Sequence, residues 1–319
     1  MRAWEDSMLA SLGLRQLLKE LQARQYRFTT MTPVSHELVN RRAGNALARD
    51  LAGIFGWNRW FEPHVMDDAL FKLMQSLDLL ENEGGSWRSR LRVSSLDAFL
   101  FLHSAFPTLD ADAVFFGPDT YRFTRAIHHY LALQKPTVRR AVDIGCGSGA
   151  GAVLLAARLP QAEVWGTDIN SKALALARVN GAASGCGNLH WQQGSLLDGL
   201  YGEFDLIVAN PPYLVDREAR AYRHGGGEFG AELSLAIVEA AIERLAVGGT
   251  LLLYTGVAIL DGRDPFLHEV ERMLQGSAMV FEYEEIDPDI FGEELALPQY
   301  QAADRIAAVL LALHKPLRL

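Results

Sequence analysis

The sequence predicts an α/β protein with a Rossmann-like seven-stranded sheet in residues 111–319, preceded by a mainly helical domain in residues 1–110. Three observations support this prediction. The hydrophobic pattern changes from helical spacing to alternating strands and helices near Thr137, glycine and polar residues follow directly after several predicted strands, and 319 residues suit two domains.

Seven predicted strands alternate with helical segments in the C-terminal part. The strands cover 140–144, 163–169, 189–192, 205–209, 250–255, 279–283 and 306–312. Helical periodicity covers 150–159, 172–183, 233–245 and 265–274. Such alternation is typical of a parallel sheet with helices on both faces. Ligands of these sheets bind beyond the carboxyl ends of the strands, so functional residues are expected there.

The first 110 residues show helix-like apolar spacing in three stretches, at 9–21, 38–54 and 70–80. The pair Gly84-Gly85 then breaks the chain, and residues 86–95 and 97–103 predict short strands. Helices followed by a strand pair is the order of a winged-helix module. Two roles remain open for it: a nucleic-acid reader, or a helical cap whose arginines are solvated. The candidate nucleic-acid contacts are Arg41, Arg42, Arg88, Arg90 and Arg92.

Composition and charge exclude several classes of protein. A hydrophobic fraction of 49% with 22% charged residues indicates a globular chain rather than a disordered one. The net charge of −9 lies entirely outside the first 110 residues, which disfavours a broad nucleic-acid footprint on the C-terminal part. Without a signal-peptide pattern or a membrane span, and with two cysteines, a cytoplasmic protein is expected. The pair His128-His129 has no further ligand nearby, so no metal site is predicted.

A glycine loop lies between the first predicted strand and the first helix in AVDIGCGSGAGAV. Gly145, Gly147 and Gly149 allow a ligand to approach bare backbone at the helix N-terminus. Asp168 closes the second strand, where a carboxylate can accept both hydroxyls of a ribose. The spacing also suits a dinucleotide, which leaves a nicotinamide-dependent oxidoreductase as an alternative. Asp143 favours S-adenosylmethionine, because its position suits the ammonium group of a methionine moiety.

The turn Asn210-Pro211-Pro212-Tyr213 follows the fourth predicted strand, at the same sheet edge as the glycine loop. Two prolines fix the backbone and remove two donors, which leaves the carbonyl oxygens free to accept. The Asn210 amide adds an acceptor, and two acceptors can hold both hydrogens of one NH₂ group. Tyr213 offers a flat face for stacking on a planar substrate. These four residues are therefore the predicted catalytic residues.

Together, the pattern D-x-G-x-G-x-G, the acidic residue ending strand two and the later NPPY resemble those of class I S-adenosylmethionine-dependent methyltransferases. The resemblance extends from about Val114 to the C-terminus. It implies an adenine contact after the third strand at Ser195 and Leu196, where the family often has an acidic residue. The expected cofactor contacts are Asp143, Gly145, Cys146, Gly147, Gly149, Asp168, Ile169, Ser195, Leu196 and Asn210.

The NPPY turn is shared by methyltransferases that act on glutamine amides in release factors and on exocyclic amines of adenine or guanine. The segments 116–120 and 223–230 are similar to segments of the glutamine-specific group. The resemblance therefore implies N-methylation of a macromolecule, with a glutamine amide in a translation protein favoured. A base amine, which would have to be flipped out of a duplex, remains an alternative. A nucleic-acid-binding regulator that keeps the cofactor only as a ligand is another.

Overall fold

The protein's structure, a computed structural model, describes residues 8–215, 220 and 222–317. The helices are α1 (Met8–Ala23), α2 (Pro33–Asn40), α3 (Asp68–Ser76), α4 (Pro118–Gln134), α5 (Ala150–Arg158), α6 (Ser171–Ser184), α7 (Glu232–Arg244) and α8 (Pro265–Leu274). The strands are β1 (Leu80–Glu83), β2 (Ser86–Ser89), β3 (Leu91–Leu96), β4 (Phe99–Ser104), β5 (Arg140–Ile144), β6 (Glu163–Asp168), β7 (Leu189–Gln193), β8 (Phe204–Ala209), β9 (Leu245–Ile259), β10 (Val280–Asp287) and β11 (Arg305–His314). None of these helices is long and apolar enough to cross a membrane.

Seven strands form one sheet in the order β10-β11-β9-β8-β5-β6-β7. Strands β5 to β9 are parallel, which confirms the predicted α/β sheet. The sheet is mixed rather than parallel throughout, because β11 runs antiparallel to both β9 and β10. No α-helix separates β10 from β11, and the short 3₁₀ turns between them cannot form the crossover that a parallel pair requires.

Helices cover both faces of this sheet, because its central strands are apolar on both sides. On one face, α7 and α8 pack on inward residues such as Val142 and Ile207. On the other face, α4 and α5 pack on Ala141 and Leu206, which are the sequence neighbours of Val142 and Ile207 and point to the opposite side of the sheet. The strands are therefore buried on both faces, and functional residues are displaced to the strand ends.

The N-terminal region contains two hairpins as well as helices. The pair Gly84-Gly85 joins β1 to β2 with φ of +58° and +89°, values suited to a two-residue hairpin turn. The expected helix across 38–54 was wrong, because α2 ends at Asn40 and only a short π-helical turn, Ala52–Gly56, follows. Between them the backbone of Leu47 pairs with Trp60, so a tertiary contact overrides the helical periodicity.

The N-terminal region packs directly on α6, the helix that follows Asp168. Leucines of α1 share an apolar cluster with Ala173 and Leu176 of α6. The Asn180 side chain also bridges α6 to β4, since its amide accepts from the Leu102 N–H at 2.9 Å and donates to the Leu102 carbonyl at 3.1 Å. The two parts of the chain are thus joined by packing and hydrogen bonds, while a domain boundary near residue 110 stays a prediction.

Candidate active site

One cavity of about 410 Å³ lies at the carboxyl ends of β5, β6, β7 and β8. This volume is in the range of ordinary small-molecule sites. All but one of the predicted site residues line it: Asp143, Gly145, Cys146, Gly147, Asp168, Ile169, Ser195, Leu196, Asn210, Pro211, Pro212 and Tyr213. Pro33 and Phe106 from the N-terminal region line it too. The sheet edge thus brings the glycine loop and the NPPY turn to the same space.

The glycine loop presents bare backbone to the cavity. Gly145 and Gly147 have φ of +68° and +53°, and a Cβ added at either would meet no atom within 4 Å. Gly149 has a different role and is absent from the cavity walls. It is the N-cap of α5, and a Cβ there would lie 2.9 Å from the Trp191 ring, so Gly149 is needed for packing. Its predicted contact with a cofactor stays a prediction.

Asp168 ties the end of β6 to the glycine loop. Its Oδ2 accepts a hydrogen bond from the Gly147 N–H at 2.9 Å, and its Oδ1 accepts one from the Asn170 N–H at 2.9 Å. Burial raises the pKa of the Asp168 carboxyl above its ordinary value, although these N–H donors oppose the shift. Each oxygen retains a further lone pair, so the carboxylate can still accept two hydroxyl groups of a ligand.

Asp143 lies deeper, near the end of β5. Its Oδ2 accepts a hydrogen bond from the Ala152 N–H in the first turn of α5 at 2.9 Å. Burial raises its pKa to about 7, with a smaller contribution in the same direction from the negative charge of Asp168. A neighbouring cation would stabilise the ionised form. The carboxyl is therefore placed to respond to a positively charged ligand group.

The remaining predicted cofactor contacts form the walls beside Asp168. Burial raises the pKa of the Cys146 thiol well above its ordinary value, which disfavours the thiolate form that a nucleophile requires. Leu196 has φ of +50°, and its carbonyl accepts from the Thr167 hydroxyl at 2.8 Å. Ile169 is 60% exposed. An exposed apolar side chain beside the Asp168 carboxylate suits contact with a flat ring.

The NPPY turn presents hydrogen-bond acceptors to the cavity. No residue in the described ranges hydrogen-bonds to the side chain of Asn210 or to the Pro211 carbonyl oxygen. The Tyr213 ring is buried against Gly256 of β9, where a Cβ would collide with it, and lies edge-on to Phe291. The turn is thus held firmly at Tyr213 while Asn210 and Pro211 stay available.

Residues 129–258 match the methyltransferase small domain family. A release factor glutamine methyltransferase of Deinococcus radiodurans is 38% identical over 198 residues, which cover 59% of this chain and 66% of that relative. The chain has the fold of class I methyltransferases, and its residues 129–258 are similar to a methyltransferase domain. It is also similar to a ribosomal protein uL3 glutamine methyltransferase of Bordetella pertussis, 37% identical over 131 residues that cover 37% of this chain and 44% of that relative.

The methyltransferase fold also appears in the comparison with solved structures. A tRNA methyltransferase from M. jannaschii aligns with a TM-score of 0.50 at 11% identity, over 92% of this chain and 72% of that one. At this identity the likeness concerns the fold alone. The chain spans between 44% and 66% of the length of the two curated relatives.

Asp119 lines the cavity and has a clear structural role, but it was not among the predicted site residues. It lies in the first turn of α4 and is 3% exposed. It accepts hydrogen bonds from the hydroxyls of Tyr213 and Tyr254, each at 2.7 Å, and from Arg122 at 3.0 Å. Asp119 belongs to the segment 116–120, whose likeness to glutamine-specific enzymes was the available signal. Its partners are distant in sequence, so no local pattern could identify them.

The five N-terminal arginines do not form one exposed patch beside the methyltransferase domain. Arg92 is buried at 5% exposure, so its expected role as a nucleic-acid contact was wrong. Arg88 is half-buried, donates to the backbone carbonyls of Asn58 and Phe106, and lies over the Trp60 ring. Only Arg41, Arg42 and Arg90 among the five are exposed. This weakens the nucleic-acid alternative for the N-terminal region.

Proposed function

We propose that this protein is an S-adenosylmethionine-dependent N-methyltransferase whose substrate is a glutamine amide in a protein of the translation machinery. The observation that carries the proposal is that one cavity is lined by residues 145–148 of the glycine loop, by Asp168 and by the Asn210–Tyr213 turn. The family match and the 38% identical relative support the same assignment.

The cavity residues on the side of the glycine loop fit S-adenosylmethionine. The open space beside Gly145 and Gly147 accommodates a ligand lying on the bare backbone. The free lone pairs of Asp168 would accept the ribose hydroxyls, and Asp143 would face the ammonium group of the methionine part. Ile169, Ser195 and Leu196 would surround the adenine. The bound cofactor supplies an electrophilic methyl group.

The NPPY turn, on the other side of the cavity, positions the substrate nitrogen. The Asn210 side-chain oxygen and the Pro211 carbonyl would each accept one hydrogen of a planar NH₂ group. An amide held by both hydrogens loses rotational freedom, and its nitrogen keeps one orientation within the cavity. Such positioning supplies a large part of the rate of a two-substrate reaction. Tyr213, fixed by Asp119, sets the place of this acceptor pair.

A protein substrate agrees better than a nucleic acid with the charges around the site. The cavity walls in the described ranges combine acidic Asp119, Asp143 and Asp168 with many apolar groups. Arg220 and Arg223 line the cavity too, and Arg223 forms an ion pair with Glu294. Two of the five N-terminal arginines are engaged in the interior rather than directed at phosphates. Nucleic-acid binding depends on accessible basic side chains, so a peptide amide is the favoured acceptor.

The test uses a radiolabelled methyl donor, the purified protein and an extract of cells that lack it. Label that protease removes and nucleases leave, mapped by peptide mass spectrometry to a methylated glutamine, is the expected result. Label removed by ribonuclease or deoxyribonuclease would contradict the glutamine assignment. Cofactor binding without any transferred label would favour the alternative of a nucleic-acid-binding regulator that keeps the cofactor only as a ligand. A substrate protein with its target glutamine replaced by asparagine serves as the matched control.

A further inference from the structure

Arg92 of β3 is a buried cation without an anionic partner. Its side chain is 5% exposed, and no carboxylate in the described part of the chain lies within ion-pair distance. One guanidinium nitrogen, Nη2, donates to the Thr30 hydroxyl at 3.2 Å, whereas Nε has no hydrogen-bond partner. A buried charge left unpaired is strongly destabilising. The arrangement therefore calls for a partner that the fold itself does not provide.

The groups around Arg92 are neutral. Burial and the Arg92 charge lower the pKa of His36 to about 4 and that of His103 well below its usual range. His103 shares a hydrogen bond of 2.8 Å with the Ser94 hydroxyl, which also bonds to Thr30. None of these side chains carries negative charge near pH 7. The positive charge of Arg92 is therefore uncompensated by its neighbours.

His36 forms a wall of this space rather than an anion contact. Its Nε2 lies 2.9 Å from the Trp57 carbonyl, so the neutral ring donates from Nε2 and leaves Nδ1 as an acceptor. That Nδ1 atom is buried and has no partner. An acceptor would repel a carboxylate oxygen, so the anion would contact the guanidinium side. Arg92 alone supplies the charge.

A small space opens beside Arg92 and shares part of its lining with the active-site cavity. We call it the Arg92 chamber; it encloses about 20 Å³ and is lined by Thr30, Met31, Pro33, His36, Arg92, His103, Phe106, Thr108, Val114, Phe115 and Phe116. Five of these residues also line the main cavity: Pro33, Phe106, Thr108, Val114 and Phe115. The volume exceeds the roughly 10–15 Å³ that one water requires, so the chamber has room for a small polar group at the guanidinium.

We propose that the Arg92 chamber binds one carboxylate group, which reaches it from the active-site cavity. A carboxylate is small, planar and singly charged, and it matches the guanidinium edge of an arginine. The carboxylate belongs either to an acidic side chain of the substrate, which rests on the proposed function, or to a free small carboxylate that occupies the same place.

The first test is independent of methyl transfer. Acetate and the neutral acetamide, whose shapes match, are titrated into the protein in chloride-free buffer of constant ionic strength, with binding followed by saturation-transfer NMR. Acetate but not acetamide is expected to bind, and Arg92→Met is expected to weaken acetate at least tenfold. Arg90→Met, which removes an exposed arginine two residues away, is the matched control and should leave binding unchanged. Equal acetate binding by wild type and Arg92→Met would overturn the proposal.

The melting temperature of Arg92→Met gives a second criterion, because replacing an arginine that only supports the fold would lower it. Methionine has a similar length without the charge, and replacing an unpaired buried charge by an apolar group is commonly neutral or stabilising. The melting temperature of Arg92→Met without acetate is therefore expected to equal or exceed that of the wild type. A clearly lower melting temperature together with unchanged acetate binding would assign Arg92 to the fold alone.

The second test distinguishes the two sources of the carboxylate. Glutamine peptides that methyl transfer accepts are compared with versions in which one acidic residue is replaced by its amide. A KM raised about ten- to a hundredfold in wild type, but unchanged in Arg92→Met, identifies the substrate side chain. Acetate binding without this KM effect identifies a free carboxylate. If no peptide is methylated, the proposed function fails. The acetate titration still decides whether the Arg92 chamber binds a carboxylate.

Discussion

The Tyr213 hydroxyl donates a hydrogen bond of 2.7 Å to Asp119 Oδ2, and this contact ties the NPPY turn to the first turn of α4. The other oxygen of Asp119 accepts from Tyr254 of β9 at the same distance. Burial and the Asp119 charge raise the pKa of Tyr213 well above its ordinary value, so the hydroxyl keeps the proton that it donates. Asp119 therefore acts as a positioning residue for the predicted acceptor pair.

Replacing Tyr213 by phenylalanine is expected to lower kcat about tenfold with little change in cofactor affinity. The ring that packs against Gly256 stays, while the anchor that sets the turn is lost. The loss of a buried hydrogen bond to a charged group corresponds to about 1.5–3 kcal/mol of stability. Steady-state kinetics, cofactor calorimetry and urea unfolding would measure the three effects.

Tyr254→Phe is the matched control for this variant. It removes an equally short hydrogen bond to the same carboxylate but leaves Tyr213 and the turn in place. A similar loss of stability with kcat within about threefold of the wild type is expected. If both variants lower kcat equally, Asp119 acts through general stability rather than through the turn.

Asn210→Ala is expected to retain cofactor affinity and lose most of the turnover. The alanine removes one of the two proposed acceptors of the substrate NH₂ group, and no described residue depends on that side chain for a hydrogen bond. A loss of about a hundredfold or more in kcat is expected, as for other groups that act in the transition state. Unchanged turnover in a single-turnover assay would remove Asn210 from the mechanism.

Asp168→Ala is expected to give the opposite result, with cofactor binding weakened at least tenfold. The variant removes the carboxylate proposed to accept two ribose hydroxyls and also frees the N–H groups of Gly147 and Asn170. Asp168→Asn, which keeps one acceptor near those amides, should show a smaller loss. Calorimetry would compare the two; cofactor affinity within twofold of wild type in both would contradict the assignment.

The strand ends of the sheet were predictable from sequence because each site motif is local. Gly145 and Asn210 follow mostly apolar strands, and the alternation of strands and helices brings those strand ends together. Asp119 and Tyr213 lie 94 residues apart, and only the packing of α4 against the sheet makes them neighbours. The burial of Arg92 was hidden for a similar reason: its strand has the pattern of a polar edge, and Thr30 and His36, which are distant in sequence, lie against Arg92 in the fold.

Cofactor affinity is expected to fall as the pH drops through about 7. The pKa of Asp143 is raised to about 7 by burial, so the carboxyl is ionised above this pH and neutral below it. Only the ionised form attracts the ammonium group proposed to lie beside it. Calorimetry from pH 6 to 8 should show this dependence in the wild type, and Asp143→Asn should bind weakly at every pH. A dependence preserved in Asp143→Asn would point to another group.

Asp143 should also affect the free energy of unfolding. Its pKa is about 7 in the folded protein and near its ordinary value of 3.8 in the unfolded chain. Between these values the folded carboxyl holds a proton that the unfolded chain has released. Its contribution to stability is therefore fully present below about pH 3.8 and is lost as the pH rises to about 7. The difference in unfolding free energy between wild type and Asp143→Asn, measured by urea at each pH, should follow this window.

Gly147→Ala is expected to weaken cofactor binding far more than it weakens the fold. The φ of +53° costs an alanine about 1 kcal/mol, and its Cβ would stand in the open part of the cavity. Gly185→Ala, at the exposed C-terminal end of α6, is the matched control, because its φ is +79° and a Cβ there also meets no atom within 4 Å. Both variants should lose similar stability in urea unfolding. Only Gly147→Ala should lose at least tenfold in cofactor affinity, since only its methyl group occupies the proposed binding space; equal affinities would place the cofactor away from this loop.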